Sequence, residues 1–446
     1  MGLSVRTITT GLGITTHYGK LRYGKLEDSA KQAVEELAKI KDQDKKFLKW
    51  VSLPEKQLER VDYIYKKVEE FKNQTSARFL SIIGIGGSKH PIEHMLSING
   101  LNLDKKIKFI SDIDTVSINR FMQEIEGNPR NSRYLVVSKS GTTFEPKDAL
   151  IRTKNAIKGI FTKDGYSEQD AQNLTSKYFV AVTDANSKTS ELRRTANEEN
   201  WLGKFFIHDD VGGRFSAFDD HTLFTLAYAG MKKEDMKAML LGAQGMTKNA
   251  LSKNIEKNDP LTQAVFWVQA KMQGINTTVH QYLGSMFENT VNWHAQMQNE
   301  SLKHTLKQIT KVPDAMHHSA EAHFNTANKY AFALTSPNDK GLLSENLNGY
   351  VDALSKSYRD AGPYFNEVVD VNELGLTPQA AGALTQSRAF STVYQEIIEK
   401  INAKQPLPDV LDSVLQPFVE TYKKNLKPSA VDKPVVVAGR TLNKQG

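Results

Sequence analysis

Three short apolar runs, each stopped by a cluster of glycine or hydroxyl residues, constrain this chain more than any other feature. Phe79-Leu80-Ser81-Ile82-Ile83 runs into Gly84-Ile85-Gly86-Gly87-Ser88. Tyr134-Leu135-Val136-Val137 runs into Ser138-Lys139-Ser140-Gly141-Thr142-Thr143, and Tyr178-Phe179-Val180-Ala181-Val182 into Thr183-Asp184. Runs this short have strand length, and helical stretches lie between or after them. Strand, loop, helix, strand in this rhythm predicts parallel βαβ units. Up to about residue 75 the chain reads as helical and polar, with apolar residues at three- and four-residue spacing. Further on, 218–250, 260–274 and Phe287 to Glu300 read as helices. Tyr330 to Leu334 and Val368 to Val371 read as strands, and about Pro378 to Lys424 as a helix-rich end. No repeat of fixed short period appears.

A chain of 446 residues is too long for one core and predicts two or three domains. No run approaches the roughly 20 apolar residues of a membrane span, and the first twenty residues lack the basic start and apolar stretch of a signal peptide. With no cysteine, disulfides, thiolate metal sites and cysteine nucleophiles are all excluded, and nothing argues for export. The expectation is a cytoplasmic protein. The net charge of +7 suits an anionic partner, either nucleic acid or a phosphorylated metabolite. The lysines are spread along the chain, often beside acids, which reads as a solvated surface and not as a nucleic-acid footprint.

Two loops have the chemistry to hold a phosphate. In Gly84-Ile85-Gly86-Gly87-Ser88 the glycines let the backbone turn sharply and approach a ligand, and Ser88 stands at or near the start of a helix expected over Lys89 to Leu96, where free N–H groups attract an anion. Taken alone, a tight turn with a serine cap explains this loop as well. Ser138-Lys139-Ser140-Gly141-Thr142-Thr143 tips the balance, because four hydroxyls, one ammonium and one glycine in six residues exceed what a surface turn needs. Thr142 and Glu145 have capping-box spacing, so a helix is expected to start there. Neither loop is a Walker loop, and Gly84 to Ser88 does not fit a dinucleotide fingerprint.

These loops, with Val211-Gly212-Gly213-Arg214-Phe215-Ser216, Gln298-Asn299-Glu300-Ser301 and His317-His318-Ser319 in that order, resemble the glucose-6-phosphate isomerase (phosphoglucose isomerase) family. The resemblance runs from about Gly84 to Ser319 and more weakly to about Glu396. It implies an α/β fold of two sugar-isomerase-type three-layer αβα sandwich domains with mainly parallel sheets, plus helical N- and C-terminal segments. The implied divisions are 1–74, a helical segment packing on the second domain; 75–230, a first domain carrying the phosphate loops; 231–425, a second domain; and 426–446, a tail. The implied partners are glucose 6-phosphate and fructose 6-phosphate, with no cofactor, metal, nucleic acid or membrane. The implied assembly is a homodimer of glycolysis and gluconeogenesis, with active sites at domain and subunit boundaries.

Aldose–ketose isomerisation must open a ring, move a proton between two carbons and stabilise the enediolate between. By the same resemblance, Glu300 is the base, a task that suits a carboxylate whose pKa burial has raised. Arg214 is the cation for the enediolate, and His318 opens the ring. From local sequence alone, an ordinary helix-end glutamate and a structural salt bridge compete for Glu300 and Arg214. Ser88, Ser138, Ser140 and Thr143 hold the phosphate, with Lys139 adding charge and Gly87 and Gly213 allowing close approach. His317, His318, Glu321 and His323 also resemble a metal-ligand cluster, but not in HExxH spacing.

Near the C-terminus the family presents a glutamine and, seven residues on, a lysine. Gln379 matches the glutamine, but Gln386 stands at the lysine position. Either Arg388 substitutes, or His318 opens the ring alone, or the enzyme is slow on cyclic sugar. Two further readings stay open: an isomerase that also accepts mannose 6-phosphate, and a sugar-phosphate-binding regulator without turnover.

Overall fold

The computed structural model describes residues 6–19, 24–43, 47–74, 77–101, 104–112, 114–208, 210–275, 277–302, 307–311, 330–338 and 363–407. In chain order the elements begin with β1 (Arg6–Thr9), β2 (Ile14–Gly19), α1 (Glu27–Ile40), α2 (Leu53–Asn73), β3 (Phe79–Ile83), α3 (His90–Ile98) and β4 (Ile107–Ile110). Next come α4 (Thr115–Glu124), β5 (Ser132–Val137), α5 (Phe144–Lys163), α6 (Glu168–Ser176), β6 (Phe179–Thr183), α7 (Glu191–Glu198) and β7 (Gly203–Phe206). The remainder are α8 (Asp220–Tyr228), α9 (Lys233–Ala250), α10 (Asp259–Met272), β8 (Thr277–Tyr282), α11 (Glu288–Ser301), β9 (Lys307–Lys311), β10 (Tyr330–Asn338), β11 (Tyr364–Asp370) and α12 (Pro378–Asn402). The fold is mixed α/β, and the three apolar runs are β3, β5 and β6. Among the described residues no helix is long and apolar enough to cross a membrane.

The chain forms two compact units. The smaller takes in Ser76–Ile85 and Lys108–Phe205, and the larger Met1–Thr75, Gly86–Ile107 and Phe206–Ser413.

In the smaller unit the strand order is β4-β3-β5-β6-β7. β3, β5 and β6 are parallel, with Phe79 opposite Ser132 and Tyr134 opposite Phe179. Every residue of β5 and β6 is buried, the mark of a sheet covered on both faces. Ile83, Tyr134, Val136 and Phe179 from the strands pack with Phe121, Ile157, Phe161 and Leu192 from α4, α5 and α7. The sequence reading passes over β4 and β7, the four-residue edge strands Ile-Lys-Phe-Ile and Gly-Lys-Phe-Phe. Edge strands are short and tolerate a lysine, so their pattern is weak.

In the larger unit the order is β1-β2-β11-β10-β8-β9. β9, β8, β10 and β11 run parallel, whereas β2 pairs antiparallel with both β11 and β1. The helical reading of the first 75 residues is therefore corrected at its start, where β1 and β2 form a hairpin. Ile14, Thr16 and Tyr18 are buried and alternate with half-buried neighbours, the period of two that a half-covered strand requires. The helix read over 218–250 is split into α8 and α9 by Gly230 at φ +102°, a conformation that favours glycine. α9 and α12 approach backbone to backbone. A Cβ on Gly382 would lie 1.8 Å from the Met239 carbonyl oxygen, and one on Gly242 would lie 2.0 Å from that of Gln379. The C-terminal helix ends at Asn402, and 408–446 lie outside the described residues.

Candidate functional site

The hydroxyl loop of the smaller unit joins β5 to α5. Two of its carbonyls are held by neighbouring segments. That of Lys139 accepts from the Thr183 hydroxyl at 2.9 Å and the Asp184 N–H at 3.2 Å, and that of Ser140 accepts from the Glu191 N–H at 2.8 Å. With these two carbonyls taken, the loop is rich in hydroxyls and N–H groups, the donors an anion requires. Ser138 is buried and its Oγ accepts the Gly141 N–H at 3.1 Å, which leaves its own proton to donate. Ser140 Oγ and Thr142 Oγ1 are 2.7 Å apart. Gly141 stands at φ +76°, and a Cβ there would lie 2.5 Å from the Leu192 N–H nitrogen, so only glycine closes this turn. The cap of the 20-residue α5 is Thr143, one residue after the position the capping-box spacing suggests, and its side chain makes no capping bond. Lys139, Thr142 and Thr143 are exposed.

The larger unit assembles a second group from three segments. The Gly86–Ser88 turn and the Gly213–Phe218 turn meet at their glycines. Ser216 locks the meeting, its Oγ lying 2.7 Å from the Gly213 carbonyl and 3.3 Å from that of Gly87. The C-terminal end of α11 supplies Glu300 and Ser301. Arg214 is buried, its Nε donating to Ser301 Oγ at 3.0 Å and its Nη1 lying 3.5 Å from Glu300 Oε2. One turn back on α11, Gln296 Nε2 donates to Glu300 Oε1 at 2.7 Å. The buried Gln296 Oε1 has no partner among the described residues. Glu300 itself is 49% exposed, so the burial expected of a base is not supplied by the described residues. Ser88 is half-buried beside this group, and α3 is capped by Lys89 and not by Ser88.

Arg388 and Gln386 are not placed as expected. Arg388 is 1% exposed and forms an ion pair with Glu367. Its N–H groups go to Tyr282 OH at 2.9 Å, Gln263 Oε1 at 3.0 Å, Thr335 Oγ1 at 2.9 Å and both Glu367 oxygens. All five guanidinium donors are thereby used, and none is left for a sugar. Gln386, also 1% exposed, donates to Thr247 Oγ1 at 3.0 Å. Both are corrected from substrate-facing to internal. Gln379 is exposed in the first turn of α12. His318 and the neighbouring His317, Glu321 and His323 lie outside the described residues. One other group of possible metal ligands, His208, Asp219 and Asp220, is charge-paired. His208 Nδ1 meets Asp219, and Arg60 and Gln57 meet Asp220.

Sequence reasoning missed the support behind Arg214. The Arg214 carbonyl accepts from Trp293 Nε1 at 2.9 Å, and the Trp293 ring stacks on His94 with centroids 3.9 Å apart. Trp293 lies within the helix expected over Phe287 to Glu300, but nothing local marks His94, whose partners come from distant segments.

Parallel strands ending in hydroxyl- and glycine-rich turns, with a buried arginine beside a carboxylate, define a protein of the sugar-isomerase class. A family model described as phosphoglucose isomerase matches residues 32–328. The chain is 30% identical over 216 residues to the glucose-6-phosphate isomerase of Nostoc punctiforme, covering 47% of this chain and 38% of that protein. It is 27% identical over 419 residues to the glucose-6-phosphate isomerase of Streptococcus pneumoniae serotype 4, covering 85% of this chain and 86% of that one. The match thus spans well under half of the cyanobacterial relative but most of the streptococcal one. A glucose-6-phosphate isomerase structure from Chlamydia trachomatis shares the fold, with a TM-score of 0.70, 18% identity and coverage of 94% of this chain and 90% of that one. A hypothetical protein from Thermus thermophilus also shares it, with a TM-score of 0.72, 21% identity and coverage of 94% and 99%. The chain belongs to the phosphoglucose isomerase family.

Proposed function

We propose that this chain interconverts glucose 6-phosphate and fructose 6-phosphate through a cis-enediolate, as a cytoplasmic homodimer serving glycolysis and gluconeogenesis. The observation that carries the reading is the Arg214–Glu300 pair, a buried guanidinium 3.5 Å from a half-exposed carboxylate. A fixed cation beside a reachable base is what an enediolate reaction requires. In this reading Glu300 takes the proton from C2 of the open-chain sugar and returns it to C1. Arg214 balances the charge that builds on the oxygens meanwhile, without reorganising, because Ser301 already holds its Nε. Ser88, Ser138, Lys139, Ser140 and Thr143 bind the phosphate, Gly87 and Gly213 leave room for the sugar, and Gln379 is a further contact. With Gln386 and Arg388 turned inward, ring opening falls to His318.

The test is a coupled assay of the purified chain on fructose 6-phosphate, with mannose 6-phosphate run beside it. Glu300→Gln is expected to lower kcat by about a thousandfold while fructose 6-phosphate still binds. Unchanged turnover would remove Glu300 from the mechanism. Binding without turnover in the unaltered chain would favour a sugar-phosphate-binding regulator instead.

A further inference from the structure

We propose that His94 is a positioning residue for Arg214, acting through the ring of Trp293 at the junction of α3, α11 and α12. This rests on the reading of Arg214 as the enediolate cation.

Two threonine hydroxyls bracket the ring of His94 and suit one neutral tautomer. Thr385 Oγ1 donates to the Ala381 carbonyl at 2.8 Å, so it accepts from His94 Nε2–H at 3.0 Å. His94 Nδ1, 2.9 Å from Thr290 Oγ1, is then the acceptor of that hydroxyl. One ring thus ties α12 to α11 from its place on α3. Burial, and then the positive charge of Arg388, hold the His94 pKa well below the ordinary histidine value.

Pinned at both nitrogens, the imidazole offers a flat face of set orientation. Trp293 lies against it, 3.9 Å between centroids and 10° from parallel. The indole is 1% exposed, and its Nε1–H reaches the Arg214 carbonyl at 2.9 Å. Arg214 is therefore held at both ends, by Trp293 on its backbone and by Ser301 on its side chain. Loss of the His94 face frees the indole to tilt, and the Arg214 backbone moves with it. A displacement well below 1 Å at a transition-state contact lowers kcat strongly and hardly alters ground-state binding.

The experiment uses the full chain labelled for indole NMR, with the Trp293 Nε1–H resonance assigned through Trp293→Phe. In His94→Ala that resonance is expected to move upfield and lose protection from exchange. The kcat on fructose 6-phosphate is expected to fall about tenfold with KM within twofold, and His94→Phe, which keeps a ring face, to recover at least threefold. A role in stability alone would lower Tm without moving the resonance or splitting kcat from KM. Should His94→Ala not fold, Thr290→Val, which removes one anchor, is expected to move the same resonance in the same direction by less. An unmoved resonance in a folded variant overturns the proposal. If the unaltered chain does not isomerise, the proposed reaction fails, and the resonance alone still decides whether His94 sets Trp293 against Arg214.

Discussion

A methyl group on Gly87 would lie 2.6 Å from the carbonyl carbon of Gly213 and 2.8 Å from the amide nitrogen of Arg214. Both neighbours are backbone, so neither can swing aside as a side chain would. The contact joins the turn carrying Ser88 to the turn carrying Arg214. Gly87→Ala is expected to push them apart, costing about 2 kcal/mol of stability and lowering kcat/KM about a hundredfold. Urea unfolding and the coupled assay check both. A variant with the unaltered midpoint and rate would show that the two turns do not depend on this contact.

Arg388 and Glu367 form a charge pair sealed from water. Arg388→Met leaves Glu367 buried without its cation, which is expected to cost about 3–5 kcal/mol. Arg388→Met with Glu367→Gln removes both charges and is expected to recover at least half of that loss, read from urea midpoints. If Arg388 instead contacts sugar, the double variant will fold yet lose activity. The internal assignment predicts kcat/KM within about threefold of the unaltered chain.

Asp259 is buried, with Tyr18 donating to Oδ1 at 2.6 Å and Gln263 to Oδ2 at 3.0 Å. Burial, and then the charge of Glu367, push its pKa from an ordinary 3.8 up to about 6. A raised carboxyl pKa means that the folded state prefers the proton. Its contribution to stability is complete below pH 4 and is lost as pH rises through about 6. The stability of the unaltered chain relative to Asp259→Asn is therefore expected to fall by about 2 kcal/mol between pH 4 and pH 7. A difference that stays flat across that window would contradict the assignment.

Lys139 is exposed at the head of the hydroxyl loop, and its own carbonyl is anchored by Thr183. Lys139→Ala removes the charge and keeps that backbone anchor. It is expected to raise KM for fructose 6-phosphate about tenfold with kcat within twofold, as the loss of one charge-assisted contact would. Inorganic phosphate, as a competitive inhibitor, is expected to weaken in parallel. An unchanged KM would place the phosphate elsewhere.

What was legible in the sequence is what is encoded locally. β3, β5 and β6 are apolar runs bounded by breakers, and the loop after β5 carries its chemistry in six consecutive residues. Glu300 and Gln296 share a helix face one turn apart, so their pairing follows from helical spacing. The β1–β2 hairpin was not legible, because two short Thr-rich strands acquire their character only by pairing, β2 with β11 from the far end of the chain. Arg388 could not be placed, since a guanidinium in a helix reads alike whether it faces a ligand or Glu367.

By itself the sequence determined the strand–loop–helix rhythm, the donors of the hydroxyl loop and the family to which the chain belongs. Those follow from residue type and near-neighbour spacing, which the backbone expresses wherever it lies. Only the tertiary structure decided that Arg214 meets Glu300, that Gly87 must remain a glycine, that Arg388 is internal and that His94 backs Trp293. Each depends on atoms brought together from distant segments, where burial and the competition for hydrogen-bond partners, and not residue type, set what a side chain can do.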